Sequence, residues 1–273
     1  MTARHEWPLE RIKDLLERKH LHMTDVVRLA EVGSTVHGIS VGGQDDLDLT
    51  GIRIEGWHEL VNGPAKRQSM MVRTAQGNNR SMPGDIDIQL YTLRKFIDLA
   101  LGGNPSILTA LYSPKTWDPG WATQHIDWEH VGTLVASKRA GQAFKGYMRQ
   151  QMERWQGLRG QRNVNRPELV EAHGFDTKYA AHVIRLGLQG IEYVTHGTLT
   201  LPMPAEEALQ LRSLRVGRLS EAEAITWANE VEAWLMQAID HSPLPDQPNV
   251  EGARRWLAQV YHEVVPVYDP AYD

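Results

Sequence analysis

The sequence contains no cysteine, and this absence excludes several kinds of chemistry. Without cysteine the chain has no disulfide framework, no thiolate nucleophile and no cysteine-ligated zinc or iron–sulfur centre. Any metal ion must therefore be bound by oxygen atoms or by imidazole.

Long apolar runs and long basic runs are also missing. No segment approaches the roughly 18 apolar residues of a membrane-spanning helix, and the first residues are polar and charged, unlike a signal peptide. We therefore expect the cytosol as compartment and no membrane partner. The formal net charge of −5 over 273 residues argues against sequence-blind adhesion to nucleic acid, although nucleic acid stays a candidate substrate.

Hydrophobic periodicity divides the chain into a mixed first part and a helical second part. An amphipathic helix is predicted at residues 7–20, and strands are predicted at residues 26–32, 47–54 and 85–91. Residues 61–84 contain several Gly, Asn and Pro and predict a long surface loop. Further helices are predicted at residues 92–101, 138–155, 177–189, 205–215, 220–239 and 251–264, with another helical turn starting near residue 104. The prediction is an α+β fold, with a small mixed sheet and helices in residues 1–115 and an α-helical domain in residues 116–273.

A glycine-serine turn, GSTVHG at residues 33–38, follows the first predicted strand. The first N–H groups of a helix have no partner inside the helix, and the helix dipole favours an anion there. Gly33 and Ser34 are thus candidates to hold the phosphates of a nucleotide. His37 lies beside the turn and could contact the nucleotide, although a histidine in such a place is more commonly a packing or hydrogen-bonding residue.

Several aspartates are spaced for one face of a sheet. Asp46 and Asp48 stand at positions i and i+2 of a predicted strand, so their side chains point the same way. Two such carboxylates repel each other unless a cation lies between them, and Mg²⁺, or Mn²⁺ in its place, suits an all-oxygen site. Asp87, or Asp85 as a substitute, would complete a site for two metal ions about 4 Å apart. Taken alone, each pair is also typical of a turn or of a solvated strand face.

Taken together, these motifs resemble those of the DNA-polymerase-β-like nucleotidyltransferases, in which a Gly-Ser turn precedes an Asp-x-Asp strand and a third aspartate lies on a later strand. More narrowly, residues 26–204 resemble predicted nucleotidyltransferases of bacteria and phages. The matching segments are GSTVHG, DDLDLTG, GDIDIQLYTLRKF, GNPSIL, RPELVEAHGFDTKYAAHVIRLGLQG and TLTLPMP.

The resemblance implies that residues 1–115 are the catalytic domain, with Asp46, Asp48 and Asp87 as catalytic metal ligands. It also implies that Gly33 and Ser34 form the phosphate-binding turn. The superfamily often has serine before the first aspartate, whereas this chain has aspartate at position 45, which adds negative charge and leaves both ligands intact.

A second block of polar residues lies on a predicted helix of the second part. Lys178, His182 and Arg185 fall at positions i, i+4 and i+7, so they share one helical face. This face is solvated, or paired with Asp176 and Glu192, or it is a basic strip for phosphate or for an acceptor. The resemblance favours nucleotide binding by these three residues.

Two smaller polar groups have open interpretations. Arg162, Asn165 and Arg166 fit a capping or loop-anchoring role as well as substrate contact. Arg94 and Lys95 follow the third aspartate and could steady a transferring phosphate. Because the outer face of their helix need not coincide with the acidic strand face, we interpret them as structural or ion-paired.

The predicted reaction is transfer of a nucleoside monophosphate from an NTP such as ATP to an acceptor hydroxyl, with release of pyrophosphate. The acceptor stays open among RNA, protein and a small molecule, and so does the oligomeric state. One alternative is a non-catalytic module that senses NTP or RNA. The other is a two-metal phosphohydrolase, which the sequence disfavours because no histidine is suitably spaced.

Overall fold

The structure, a computed structural model, describes residues 7–42, 46–56, 59–60, 68–75, 82, 84–158 and 166–268. Its first part is built around a five-stranded sheet. The strands are β1 (Val26–Glu31), β2 (Leu47–Arg53), β3 (Ser69–Arg73), β4 (Ile86–Thr92) and β5 (Thr116–Trp117). Helix α1 (Leu9–Glu17) and a 3₁₀ turn (Met23–Asp25) precede β1, and the single-turn helix α2 (Gly33–Val36) follows it.

The strands lie in the order β3-β4-β2-β1-β5, and the β2–β4 pair is parallel whereas the other pairs are antiparallel. Strand β4 alternates strictly: Ile86, Ile88 and Leu90 are buried, and the residues between them are half-buried. This alternation places the aliphatic side chains on one face of the sheet and Asp87 on the other. The register then sets Asp48 of β2 beside Asp87 of β4.

Helices make up most of the rest of the described chain. The helices are α3 (Leu93–Leu101), α4 (Pro105–Leu111), α5 (Gly120–His125), α6 (Trp128–Val135), α7 (Lys138–Trp155), α8 (Pro167–His173), α9 (Thr177–His196), α10 (Ala205–Arg215), α11 (Glu221–Asp240) and α12 (Val250–Tyr268). Several of them start at capping residues: the Thr92 hydroxyl accepts from the N–H of Lys95, and the Asn104 side chain caps α4 ahead of Pro105.

Two buried clusters hold these elements together. The smaller one packs α1 against the aliphatic face of the sheet, with Ile12 and Leu16 against Ile86 and Ile88. The larger one contains Val27 and Ile52 on the opposite face of the sheet, and it extends through the helices as far as α12. The end of the sheet that carries Asp48 lies beside a cavity, which Pro105, Ser106 and Thr109 of α4 also line.

The predicted α+β architecture is confirmed, with three local corrections. Residues 61–84 do not form one loop, since β3 lies inside that range and pairs with β4. The part after residue 105 is not wholly helical, because β5 pairs with β1. Helix α9 does not end at residue 189 but continues to His196. The division at residue 115 stays a prediction, and β5 extends the sheet past that residue.

None of the helices in the described parts of the chain combines the length and the apolar character needed to cross a membrane.

Candidate active site

The glycine-serine turn lies directly against the second strand. Gly33 has a φ of +83°, and a Cβ atom at this position would lie 2.5 Å from Oδ2 of Asp48. The N–H of Val32 donates to the carbonyl of Asp48 at 2.9 Å, which ties the turn to β2. Only glycine combines this backbone conformation with so close an approach to a carboxylate. The predicted phosphate-binding turn and the predicted metal ligand are therefore immediate neighbours.

Three half-buried aspartates come together beside this turn. Asp46, Asp48 and Asp87 each offer a carboxylate oxygen, and these oxygens all lie within 4.8 Å of one another. Asp48 and Asp87 meet because β2 and β4 are parallel and in register at these two residues. An all-oxygen donor set with this spacing fits a hard divalent cation. The three residues could therefore hold a metal ion.

Arg73 of β3 contacts the outer member of the cluster. Its guanidinium is 3.2 Å from Oδ1 and 3.1 Å from Oδ2 of Asp87, in a two-point contact. The hydrogen bond and charge of Asp87 raise the pKa of Arg73, and Asp85 and Asp46 add to this effect. Arg73 thus offsets part of the negative charge of the cluster.

Asp85, the substitute third ligand of the sequence analysis, has different partners. Its Oδ1 accepts from the hydroxyl of Thr74 and its Oδ2 from the N–H of Met82, both at 2.7 Å. These hydrogen bonds, the one from Met82 first, lower the pKa of Asp85. Asp87, and not Asp85, is the residue grouped with Asp46 and Asp48.

A cavity of about 590 Å³ connects the aspartates with the helical part. At one end it is lined by Gly33, Ser34, Asp46 and Asp48, and at the other by the N-terminal half of α9. The cations along its wall are Arg166, Lys178, Arg185 and Arg215. The cavity therefore joins an acidic end, suited to metal, to a basic end, suited to phosphate.

The three basic residues predicted on one helical face all line this cavity, but they differ in their surroundings. Lys178 is half-buried, whereas Arg185 is only 9% exposed. The guanidinium of Arg185 donates to Gln189 at 2.5 Å and to Nδ1 of His182 at 2.8 Å. Within the described chain no carboxylate pairs with it, and burial lowers its pKa to about 10. A buried guanidinium without an anionic partner is suited to bind an anion from solution.

His37 is linked to the same group of residues. Its Nδ1 lies 3.2 Å from the side-chain amide nitrogen of Gln189, so the chain Arg185–Gln189–His37 joins α9 to the end of α2. Burial, followed by the charges of Arg185 and Lys178, lowers the pKa of His182 to about 3. Burial and Arg185 likewise lower the pKa of His37. At neutral pH both histidines are therefore uncharged hydrogen-bonding groups.

The cavity wall also contains residues that the sequence does not predict to bind substrate. The Tyr179 hydroxyl donates to Gln151 of α7, and both line the cavity. Asp176 caps α9 through Oδ1, at 2.9 Å from the N–H of Tyr179, while its Oδ2 is buried without a hydrogen-bond partner. Burial raises the pKa of Asp176. An N-cap signal identifies Asp176 in the sequence, but its place in the cavity depends on how the helices pack.

The remaining polar residues named from the sequence differ in their positions. Arg166 lines the cavity, 3.9 Å from Glu168, whereas Arg162 and Asn165 fall outside the described residues. Arg94 and Lys95 are not part of the cavity wall.

Comparisons with known proteins bear on the family of this chain. A family model described as RlaP, RNA repair pathway DNA polymerase beta family, matches residues 9–259. A search of curated proteins gave no match. Among the matching solved structures is a nucleotidyltransferase-like protein from Exiguobacterium sibiricum 255-15, at 10% identity and a TM-score of 0.31, over 93% of this chain and 80% of that chain.

Proposed function

The chain belongs to the RNA repair pathway DNA polymerase beta family, and we propose that it transfers a nucleoside monophosphate from an NTP to a hydroxyl group at an RNA end. The observation that carries this proposal is the cluster of Asp46, Asp48 and Asp87 beside the Gly33-Ser34 turn. The choice of RNA as acceptor rests on the RNA repair pathway in the family description.

The aspartate cluster would hold magnesium, with manganese as a substitute. Two such ions lower the pKa of an attacking hydroxyl and neutralise a departing pyrophosphate. Asp48 and Asp87 face each other across the β2–β4 pair and would be shared ligands, and Asp46 would complete the set.

The cavity wall would bind the rest of the nucleotide. Gly33 lets the backbone approach the phosphates closely, and Ser34 adds a hydroxyl on the same wall. Lys178 and Arg185 would neutralise the triphosphate from α9. His182 and His37 would orient Arg185 and the turn as uncharged groups, because their depressed pKa values keep them from adding charge. The proposed catalytic domain, residues 1–115, and the proposed helical domain thus both contribute to one nucleotide site.

The test is pyrophosphate release with each of the four NTPs. Acceptors would be an oligoribonucleotide with a free 3′-hydroxyl, the same oligoribonucleotide with a 3′-phosphate, a protein pool and a small-metabolite pool. We expect release with the free 3′-hydroxyl and not with the blocked end. If pyrophosphate release requires the protein pool or the metabolite pool instead, the proposed transferase activity is retained but its acceptor is not RNA. NTP binding without release in any pool would indicate a sensing module, and phosphate release to water would indicate a hydrolase.

Substitutions distinguish the proposed ligands from their neighbour. Asp48→Asn and Asp87→Asn should each lower the rate on the order of a thousandfold, since losing a metal ligand removes several kcal/mol of transition-state stabilisation. Asp85→Asn is the matched control, because it removes the same charge two residues away from Asp87 and outside the cluster. Activity that survives in Asp48→Asn and Asp87→Asn would exclude the proposed mechanism.

A further inference from the structure

We propose that the acceptor RNA lies on the polar face of β4 and β3, and that Arg73 binds the phosphodiester next to the attacking hydroxyl. The inference rests on the proposed function, since it names the side from which the acceptor enters the same site. It adds a binding surface outside the cavity and a residue that contacts the acceptor but not the NTP.

The order of the strands in the sheet sets the direction from which the acceptor hydroxyl approaches the nucleotide. In phosphoryl transfer the attacking and leaving oxygens lie roughly in line on opposite sides of phosphorus. The Gly33 turn follows β1, Asp48 lies on β2, Asp87 on β4 and Arg73 on β3, in the spatial order of the strands. With the pyrophosphate held at the turn, the attacking hydroxyl approaches from the side of β4 and β3. Neither Asp87 nor Arg73 lines the nucleotide cavity, which places both on this outer side.

The face of β4 and β3 beyond Asp87 is open and suited to nucleotides. The register pairs Met71 with Gln89 and Ser69 with Tyr91, so these side chains continue the face that carries Arg73 and Asp87. Met71 is 50% exposed, although it stands in a strand with a well-packed opposite face. We call the surface formed by Ser69, Met71, Arg73, Gln89 and Tyr91 the acceptor face.

Helix α7 extends this surface with a second aromatic ring. Tyr147 is 40% exposed, and its hydroxyl accepts from the side-chain amide of Asn104 at 2.9 Å. It lies close enough to Tyr91 to raise the pKa of that residue, after burial as the larger cause. Tyr147 also precedes the cavity residue Gln151 by one helical turn, and its partner Asn104 is the neighbour in sequence of the cavity residue Pro105. Aromatic rings on a surface that also carries a cation are groups on which single-stranded nucleic acids stack.

The guanidinium group of Arg73 has a geometry suited to bind a phosphodiester. Its two-point contact with Asp87 is the arrangement by which a guanidinium also binds two phosphate oxygens. When Asp87 serves as a metal ligand, the guanidinium group of Arg73 can rotate away from the Asp87 carboxylate and bind the adjacent phosphate of the acceptor. Its side chain is 27% exposed, which allows this reorientation.

The experiment measures binding of a fluorescent single-stranded oligoribonucleotide by anisotropy, with magnesium and without NTP, over a range of KCl concentrations. Loss of one phosphate contact in Arg73→Gln should make the slope of log K against log[salt] shallower by about 0.7. Arg73→Lys should restore the slope, because it keeps the charge. Arg255→Gln is the control: it removes an equally charged but exposed residue of α12 and should leave the slope unchanged.

Tyr147→Ala tests the uncharged part of the surface. It should weaken RNA binding on the order of tenfold without changing the salt slope, because stacking carries no net charge. In turnover, Arg73→Gln should raise the KM for RNA and leave the KM for NTP unchanged. A residue that only positions Asp87 would instead lower kcat and leave the salt slope intact.

The outcomes separate this inference from the proposed function. If the protein binds RNA with a slope that depends on Arg73 but releases no pyrophosphate, the transferase proposal fails and the acceptor face stands. If pyrophosphate is released with RNA but Arg73→Gln keeps the wild-type slope and KM for RNA, the inference fails and the transferase stands. A rise in the KM for NTP alone would place Arg73 on the nucleotide side and would also overturn the inference.

Discussion

At the scale of single residues, Gly33 is where the backbone of the turn and a proposed metal ligand meet. Gly33→Ala would put a residue with a side chain into a left-handed backbone conformation. Its Cβ atom would lie 2.5 Å from Oδ2 of Asp48, so the carboxylate would have to move. We expect the free energy of unfolding to fall by about 1–3 kcal/mol. Pyrophosphate release should fall on the order of a hundredfold, because a proposed metal ligand is displaced. Urea unfolding and initial rates check the two effects.

Gly42 supplies the matched control for Gly33. It has a similar φ of +79°, but in the described part of the chain no atom lies within 4 Å of the position that a Cβ would take. Gly42→Ala therefore introduces the backbone strain without the clash. Its activity should stay near that of the wild type, and a loss as large as in Gly33→Ala would contradict the assigned role of the Asp48 contact.

His182 gives a prediction on pH and stability. Its pKa is lowered to about 3 in the folded protein, whereas an unfolded histidine titrates near its usual 6.5. Between these values the unfolded chain binds one more proton, so the free energy of unfolding falls as the pH falls below about 6.5. The slope from this residue is about 1.4 kcal/mol per pH unit.

His182→Gln should remove that part of the pH dependence. The glutamine can still accept from Arg185 but does not titrate. The two larger causes of the lowered His37 pKa, burial and the charge of Arg185, remain in the variant. Urea unfolding at about pH 7 and about pH 5.5 should therefore show a smaller loss of stability in the variant. Equal losses in the two proteins would mean that His182 is accessible to protons in the folded state.

At the scale of elements, glycines set how closely α9 packs against its neighbours. A Cβ at Gly187 would lie 2.3 Å from Val231 of α11 and 2.7 Å from the sulfur of Met148 of α7. Gly187→Ala should therefore destabilise the protein by about 1–3 kcal/mol through overpacking. Gly146 of α7 is exposed with nothing within 4 Å, so Gly146→Ala should stabilise by about 0.5–1 kcal/mol.

Thermal or urea unfolding of the two alanine variants checks this pair. Both substitutions raise helix propensity equally, so the difference between them reports the packing alone. If both variants gain stability, the helices can separate at little cost and the close contact is not required.

The same helix shows what the sequence could and could not predict. The sequence predicts its start correctly at residue 177, whereas the predicted end at residue 189, just before Gly190, is wrong. Gly190 is instead a packing residue, whose Cβ would lie 2.9 Å from Phe144. The helix ends at Gly197, in a left-handed conformation typical of a C-terminal cap. Local patterns cannot distinguish a glycine required by packing from one that ends a helix.

The site was predictable to the same extent. Strand alternation, which local sequence reports, predicts that Asp46 and Asp48 share one face and that Asp87 lies on the polar face of its own strand. The meeting of these aspartates depends in addition on the pairing of β2 with β4. Arg73 could not be found in this way, because β3 is an edge strand recognised only through its pairing with β4. The link from Arg185 through Gln189 to His37 likewise depends on contact between residues far apart in sequence.

At the scale of the whole molecule, the last helix is joined to the first part of the chain. The Tyr261 hydroxyl of α12 donates to the carboxylate of Glu55, just after β2, and Arg254 is 2.6 Å from Asp98 of α3. The larger buried cluster includes Val27 of β1 and Val264 of α12 without a break. The predicted division at residue 115 therefore crosses a continuous core.

A continuous core predicts a single cooperative unfolding transition. In a calorimetric scan the calorimetric and van't Hoff enthalpies should agree, and far-UV and near-UV circular dichroism should give the same midpoint. Val264→Asp, which places a charge in the core contributed by α12, should lower that midpoint for both signals together, because no part of the cluster unfolds alone. Two resolved transitions, or a fragment of residues 1–115 that folds by itself, would show that the two parts are independent domains and that α12 stabilises only the second.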